Sequence, residues 1–182
     1  MLKGLWTKEY FEAEKEEFQS LKDLDFFELV ERSSLLPGAK WLMTRWVYAD
    51  KIDKLGDIYR FKARLTAMGC FQREGIDYID SYASVCRTKT IRMLLALYNS
   101  DAEYSMEHWD RKNSFVNAPI DVDIWMEQPA GHVIPGKERM VYKLNRSIYG
   151  LVQSSRNFKK FLASILAECG ADHLPMTIRS IR

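Results

Sequence analysis

The sequence predicts an α+β fold in which antiparallel hairpins pack with helices, and three observations carry that expectation. Two extended runs, Trp41 to Ala49 and Ile58 to Met68, are rich in aromatic and apolar residues, and Gly56-Asp57 supplies a turn signal between them. Thr88 precedes Ile91, Leu94, Leu95 and Tyr98, which recur at i, i+3, i+4 and i+7 and so define one face of a helix. Phe158, Phe161, Leu162, Ile165 and Cys169 form the expected buried face of a second helix, which is capped by Ser154 or Ser155 and ended by Gly170. At 182 residues, with 47% hydrophobic and 29% charged side chains, the chain can bury the core of one domain.

The remaining elements follow in order. Thr7 caps a helix that runs to about Leu21, with Phe11, Phe18 and Leu21 on one stripe and acids over much of the rest. Phe26 to Val30 is a short strand, and Ser33, Ser34, Pro37 and Gly38 break the chain into a loop. Within the second run of the hairpin, Tyr59, Phe61, Ala63 and Leu65 share one face while Arg60, Lys62, Arg64 and Thr66 share the other. Such a strand is able to hold phosphates over a site, or simply to stay soluble on its basic face. Gly69 to Arg87 is loop-like, Tyr104 to Trp109 is extended, Ile124 to Glu127 and Arg139 to Leu144 are strands, and Pro129 to Gly136 is a loop. The stripe at Ile91, Leu94, Leu95 and Tyr98 is expected to be core. Residues 171–182 lack periodicity and are expected to form a disordered tail.

The net charge of +2 is unevenly spread. Residues 1–31 carry four basic and nine acidic side chains, residues 40–64 seven and three, and residues 137–182 nine and three. The two basic blocks suit a polyanion such as nucleic acid, although charge alone is also compatible with a solvated surface. Cys70, Cys86 and Cys169 form no paired motif, and His108, His132 and His173 have no zinc-ligand spacing relative to them. The start has no signal-peptide core, and the longest apolar run is only Met93 to Tyr98. The expectation is a reduced, soluble, intracellular protein of the cytoplasm or nucleus, with no membrane partner.

One stretch has a distinctive wording. Trp109-Asp110-Arg111-Lys112-Asn113-Ser114-Phe115-Val116-Asn117-Ala118-Pro119 places a single acid where an extended run gives way to a short polar segment, with an aromatic five residues on. Around it stand Tyr59-Arg60-Phe61-Lys62-Ala63-Arg64-Leu65, Phe71-Gln72-Arg73-Glu74-Gly75-Ile76-Asp77-Tyr78, Thr90-Ile91-Arg92, Met126-Glu127-Gln128-Pro129 and Ser147-Ile148-Tyr149-Gly150-Leu151. In this order the blocks resemble the reverse transcriptases of copia-type retrotransposons, over roughly Trp6 to Gly170.

The resemblance implies a fingers–palm portion of a right-handed polymerase over residues 1–170, acting on RNA or DNA template–primer and deoxynucleotides. Such enzymes use paired magnesium ions held by carboxylates from two strands. Asp110 matches the first catalytic, metal-binding acid. Phe115 matches the aromatic that crowds the sugar 2′ position. Lys62 and Arg64 match the hairpin that covers the triphosphate, and Tyr149, Gly150 and Gln153 match the loop against template and incoming base. Asp121 and Asp123 match a variable acidic turn and are expected to be solvated.

The second metal-binding motif of the family, Tyr-x-Asp-Asp, is absent from the sequence. Arg111 stands at a usually apolar site, and Asn113, Ser114, Ser154 and Ser155 also depart from the usual wording. The expectation is therefore a reverse-transcriptase fragment that is inactive alone and does not hold magnesium by itself. The rival readings are a non-catalytic nucleic-acid-binding module and an unselected retroelement remnant without a stable fold.

Overall fold

A computed structural model describes residues 7–35, 37–84, 86–100 and 110–170. The expected strand at Tyr104–Trp109 and the expected disordered tail at 171–182 lie outside the described residues. Mixed α/β architecture is observed: helices α1 (Thr7–Lys22), α2 (Thr88–Ser100) and α3 (Ser154–Glu168) with strands β1 (Phe27–Glu31), β2 (Trp41–Leu42), β3 (Thr44–Ile52), β4 (Ile58–Ala67), β5 (Trp125–Met126) and β6 (Met140–Leu144). Four strands form one sheet in the order β1-β6-β5-β2, and β3 and β4 form a separate two-stranded ribbon.

The ribbon is the antiparallel hairpin read from the sequence, with Trp46 opposite Leu65 and Val47 opposite Arg64. Its turn is held by Asp53, whose Oδ1 accepts from the backbone N–H groups of Leu55 at 2.8 Å and Asp57 at 3.0 Å. The first run does not continue unbroken, however. Trp41 and Leu42 leave the ribbon and pair in parallel with Trp125 and Met126 in the other sheet. Met43 is the joint between the two sheets, and its carbonyl accepts from Met68 N–H at 2.9 Å.

Period-two burial along β4 explains why the ribbon stays on the body of the molecule. Ala63, Leu65 and Ala67 are buried, while the intervening Lys62, Arg64 and Thr66 are half-exposed. Leu65 joins a core with Phe18, Leu21, Phe26, Leu42, Val116, Met126, Tyr142, Leu144 and Ile148. Each such large apolar side chain contributes about 1.5–3 kcal/mol relative to exposure. The helix α1 packs against β4 and delivers Phe18 and Leu21 to this core.

Two helical faces differ from expectation. No residue of α2 is buried, and Ile91, Leu95 and Tyr98 are about 40% exposed. Periodicity specifies which face is apolar but not what covers it, and among the described elements none packs closely over this one. In α3 the buried residues are Ser154, Asn157 and Phe158, so burial is confined to its first turn. Phe161, Leu162 and Ile165 are only half-buried and Cys169 is exposed. Neither serine caps α3 by a side-chain hydrogen bond. Ser154 Oγ instead donates to the Ile148 carbonyl at 2.5 Å.

Candidate nucleotide-binding cleft

A cleft of about 370 Å³ lies between α1, β4, the segment Asp110–Phe115 and Tyr149. Five of the seven residues singled out from the sequence line it: Lys62, Arg64, Asp110, Phe115 and Tyr149. They come from three separate stretches of chain. Arg60, Arg111 and Lys112 add positive charge, and Glu16 and Glu17 of α1 face the same space. Five cations against three carboxylates leave the lining net positive.

The segment after Asp110 is held largely by its own side chains. Asn113 adopts a left-handed conformation (φ 52°), which asparagine tolerates better than most residues, and a 3₁₀ turn over Ser114–Asn117 follows. Asn117 Nδ2 donates to the Asn113 carbonyl at 2.9 Å, while its Oδ1 accepts from Arg111 Nη2 at 2.9 Å. The Arg111 guanidinium also lies 5.9 Å from the centroid of the Phe161 ring. Asn113 Nδ2 also donates to Ser20 Oγ at 2.8 Å, which ties this segment to α1. Asp110 itself is exposed at the cleft.

The aromatic wall is built in sequence. Phe115 meets Tyr149 edge-on at 5.0 Å between ring centroids, and the Arg64 guanidinium lies over the other ring of that pair, Tyr149, at 5.4 Å. Cation–π contact of this kind fixes where a long side chain points. Tyr149 is placed by its own backbone, because Ala67 N–H donates to the Tyr149 carbonyl at 2.8 Å. The next residue explains why the approach is so close. A Cβ on Gly150 (φ 91°) would sit 2.1 Å from the Ala67 carbonyl oxygen, and one on Gly69 would sit 2.1 Å from the Gly150 carbonyl oxygen.

Gly150 and Gln153 therefore stand behind the cleft rather than in its lining. Gln153 is fully buried; its Oε1 accepts from Gln72 Nε2 at 2.9 Å and its Nε2 donates to the Asp77 carbonyl at 3.0 Å. These bonds fasten the loop 72–78 to the start of α3. That loop is closed by Arg73, which grips the Asp77 carboxylate through Nε at 3.0 Å and Nη2 at 3.1 Å. The Arg73 hydrogen bond holds the Asp77 carboxyl below its ordinary pKa.

Asp123 is largely exposed, as expected, whereas Asp121 is not simply solvated. Asp121 accepts from Arg156 Nη1 at 2.7 Å and Asn157 Nδ2 at 3.0 Å, which anchors the first turn of α3. Asp123 lies 3.4 Å from Lys143 Nζ. Among the described residues no three His, Cys, Asp or Glu side chains gather as a metal site. Among the described residues, the donors around Asp110 do not by themselves make up a magnesium pair, which needs several oxygen ligands per ion.

Sequence reasoning missed the contribution of α1. Ala13, Glu16, Glu17 and Ser20 recur at helical spacing and form one wall of the cleft. Glu17 Oε1 and Arg64 Nε are buried and have no hydrogen-bond partner among the described residues. Burial raises the Glu17 carboxyl pKa above its ordinary value, against the pull of Lys62, Arg64 and Lys112. Lys62 is lowered, first by desolvation and then by Arg64. Deeper still, the buried Glu14 accepts from Tyr48 Oη and lies 2.8 Å from His132 Nε2, pinning α1 to the ribbon and to the loop after Pro129. Desolvation pushes the Tyr48 phenol up to about 12.

A basic cleft with two exposed acids, Glu16 and Asp110, an aromatic wall and a cationic strand is of the kind that suits a phosphate-bearing ligand. Comparison with known proteins narrows it. Residues 25–178 match the family described as reverse transcriptase (RNA-dependent DNA polymerase). Over 148 residues (80% of this chain, 11% of the relative) the sequence is 38% identical to the Retrovirus-related Pol polyprotein from transposon TNT 1-94 of Nicotiana tabacum. It is 32% identical over 126 residues (69% and 8%) to the Pol polyprotein from transposon RE1, and 32% over 134 residues (74% and 9%) to that from RE2, both of Arabidopsis thaliana. No solved structure matches the chain. The chain belongs to the reverse transcriptase family, as part of a copia-type reverse transcriptase domain, and it spans about a tenth of the length of these relatives.

Proposed function

We propose that this chain is a fingers–palm portion of a copia-type reverse transcriptase whose cleft receives a deoxynucleoside triphosphate beside a template–primer duplex, and that it adds no nucleotide by itself. The observation that carries the reading is the convergence of Lys62, Arg64, Asp110, Phe115 and Tyr149 on one cleft from three stretches of chain. Lys62 and Arg64 meet the phosphates. Phe115, held edge-on by Tyr149, limits the space at the sugar. Gly150 and Gln153 position this wall and the loop 72–78. Residues 1–170 form the domain and 171–182 a divergent extension.

Nucleotide addition in this family relies on magnesium bound by acids from two motifs. Asp110 is one such acid, and the sequence contains no Tyr-x-Asp-Asp motif to supply the others. The expected result of primer extension on an RNA template, with magnesium and deoxynucleotides, is therefore no product from this chain alone. Extension that the Asp110→Asn variant loses would overturn that reading and mean that a further acid completes the site.

A further inference from the structure

We propose that Glu17 is the built-in counter-charge of the cleft and the residue that sets how strongly the cleft holds a polyphosphate. The inference rests on the nucleotide-binding reading and adds to it a residue on the opposite wall. Glu17 and Arg64 line the same cleft, yet Glu17 Oε1 and Arg64 Nε are both buried and neither has a hydrogen-bond partner among the described residues. The carboxylate is therefore not held there by hydrogen bonding at this atom.

What faces it is charge. Lys62 and Arg64 approach from β4, and Lys112 from the segment after Asp110. Arg60, Arg111, Asp110 and Glu16 complete the charged lining. Lys62 in turn sits among Arg64, Arg60 and Lys51, whose repulsion Glu17 relieves. An empty cluster of like charges is costly, and one internal carboxylate offsets part of that cost, while its own desolvation outweighs the attraction it gains. A polyphosphate brought to Lys62 and Arg64 supplies the same compensation in excess and meets Glu17 as a like charge. Affinity is then the difference between attraction to the cations and repulsion from this one acid.

The test measures binding of inorganic tripolyphosphate and of a deoxynucleoside triphosphate, without metal, at neutral pH and low salt, by titration calorimetry. Glu17→Gln keeps the shape and removes the charge. It should bind both probes about three- to tenfold tighter than the parent, given Coulomb coupling across a partly screened cleft. Glu9→Gln removes the same charge from an exposed position on the same helix, outside the cleft, and should change affinity less than about twofold. Arg64→Ala should weaken binding. Should Glu17→Gln fail to melt cooperatively, Glu17→Ala replaces it in the same comparison.

The outcomes separate the two claims. Equal or weaker binding by the Glu17 variant, with Arg64→Ala still weakened, overturns the counter-charge proposal and leaves the nucleotide cleft standing. An equal gain from Glu9→Gln also overturns it, by showing a long-range charge effect only. Absence of binding by parent and Glu17 variant alike sinks both.

Discussion

The helices α1 and α2 carry the same kind of signal in the sequence and meet opposite fates. Both are amphipathic, and both present an apolar stripe at helical spacing. In α1 the stripe is buried at Phe18 and Leu21, Glu14 is buried beside it and paired with Tyr48 and His132, and a polar row faces the cleft. In α2 no described element packs closely on the stripe, and Leu94 alone of its four apolar positions is even half-buried. The difference teaches that an amphipathic pattern states what a helix is able to bury, while a neighbouring element decides whether it does. Glu14 and Glu17 carry the converse lesson, since acids on an exposed-looking helical face end up buried or half-buried because β3, β4 and the loop after Pro129 arrive over them.

This contrast can be broken most severely at the junction behind the cleft. Gly150→Ala combines a left-handed backbone with a Cβ placed 2.1 Å from the Ala67 carbonyl, so the end of β4 and Tyr149 must separate. The expected loss of stability is roughly 2–4 kcal/mol by denaturant melt, with Arg64 losing its seat on Tyr149. A variant as stable as the parent would show that this junction does not hold the cleft together.

A smaller effect is expected from pH. Asp77 has a folded-state pKa below its ordinary value, chiefly through the Arg73 hydrogen bond. Its contribution is therefore present above the ordinary aspartate range and is lost as pH falls through the depressed folded value. Glu17 acts in the opposite sense: its folded pKa is raised by burial, so its contribution is greatest at low pH and is lost as pH rises through that raised value. Melting temperature against pH should accordingly lose part of its acid-side fall in Asp77→Asn. Glu17→Gln should melt above the parent at neutral pH, with the gain shrinking in acid. Parallel curves for all three proteins would contradict both assignments.

The smallest effect is expected on α2. Leu95 is 43% exposed and no described element packs closely on α2, so Leu95→Ser should shift stability by no more than about 0.5 kcal/mol while reducing aggregation of the isolated chain. A loss several times larger would mean that this face is covered after all.

Much of the scaffold was legible because it rests on short-range chemistry. The alternation at Phe61, Ala63 and Leu65, the Gly56 turn and the stop at Gly170 each follow from neighbouring residues. The joint at Met43 was not legible, since Trp41–Leu42 reads as one run with the strand that follows and only the parallel partner at Trp125–Met126 pulls it away. At the site, the wording around Asp110, Phe115 and Tyr149 named residues that the fold brings together. It did not reveal that Gln153 bonds backward to Gln72 and Asp77, because an amide side chain carries no signal of its direction. Nor did it reveal Glu17, whose helical position looks like a solvated acid until β4 lies against it.

The most direct test of the account is amide hydrogen exchange read by mass spectrometry, with and without a deoxynucleoside triphosphate. The cleft reading predicts slowed exchange in β4 around Arg60–Leu65 and in Asp110–Phe115, with α2 exchanging equally in both states. Protection confined to α2, or none in β4 at saturating triphosphate, would contradict it.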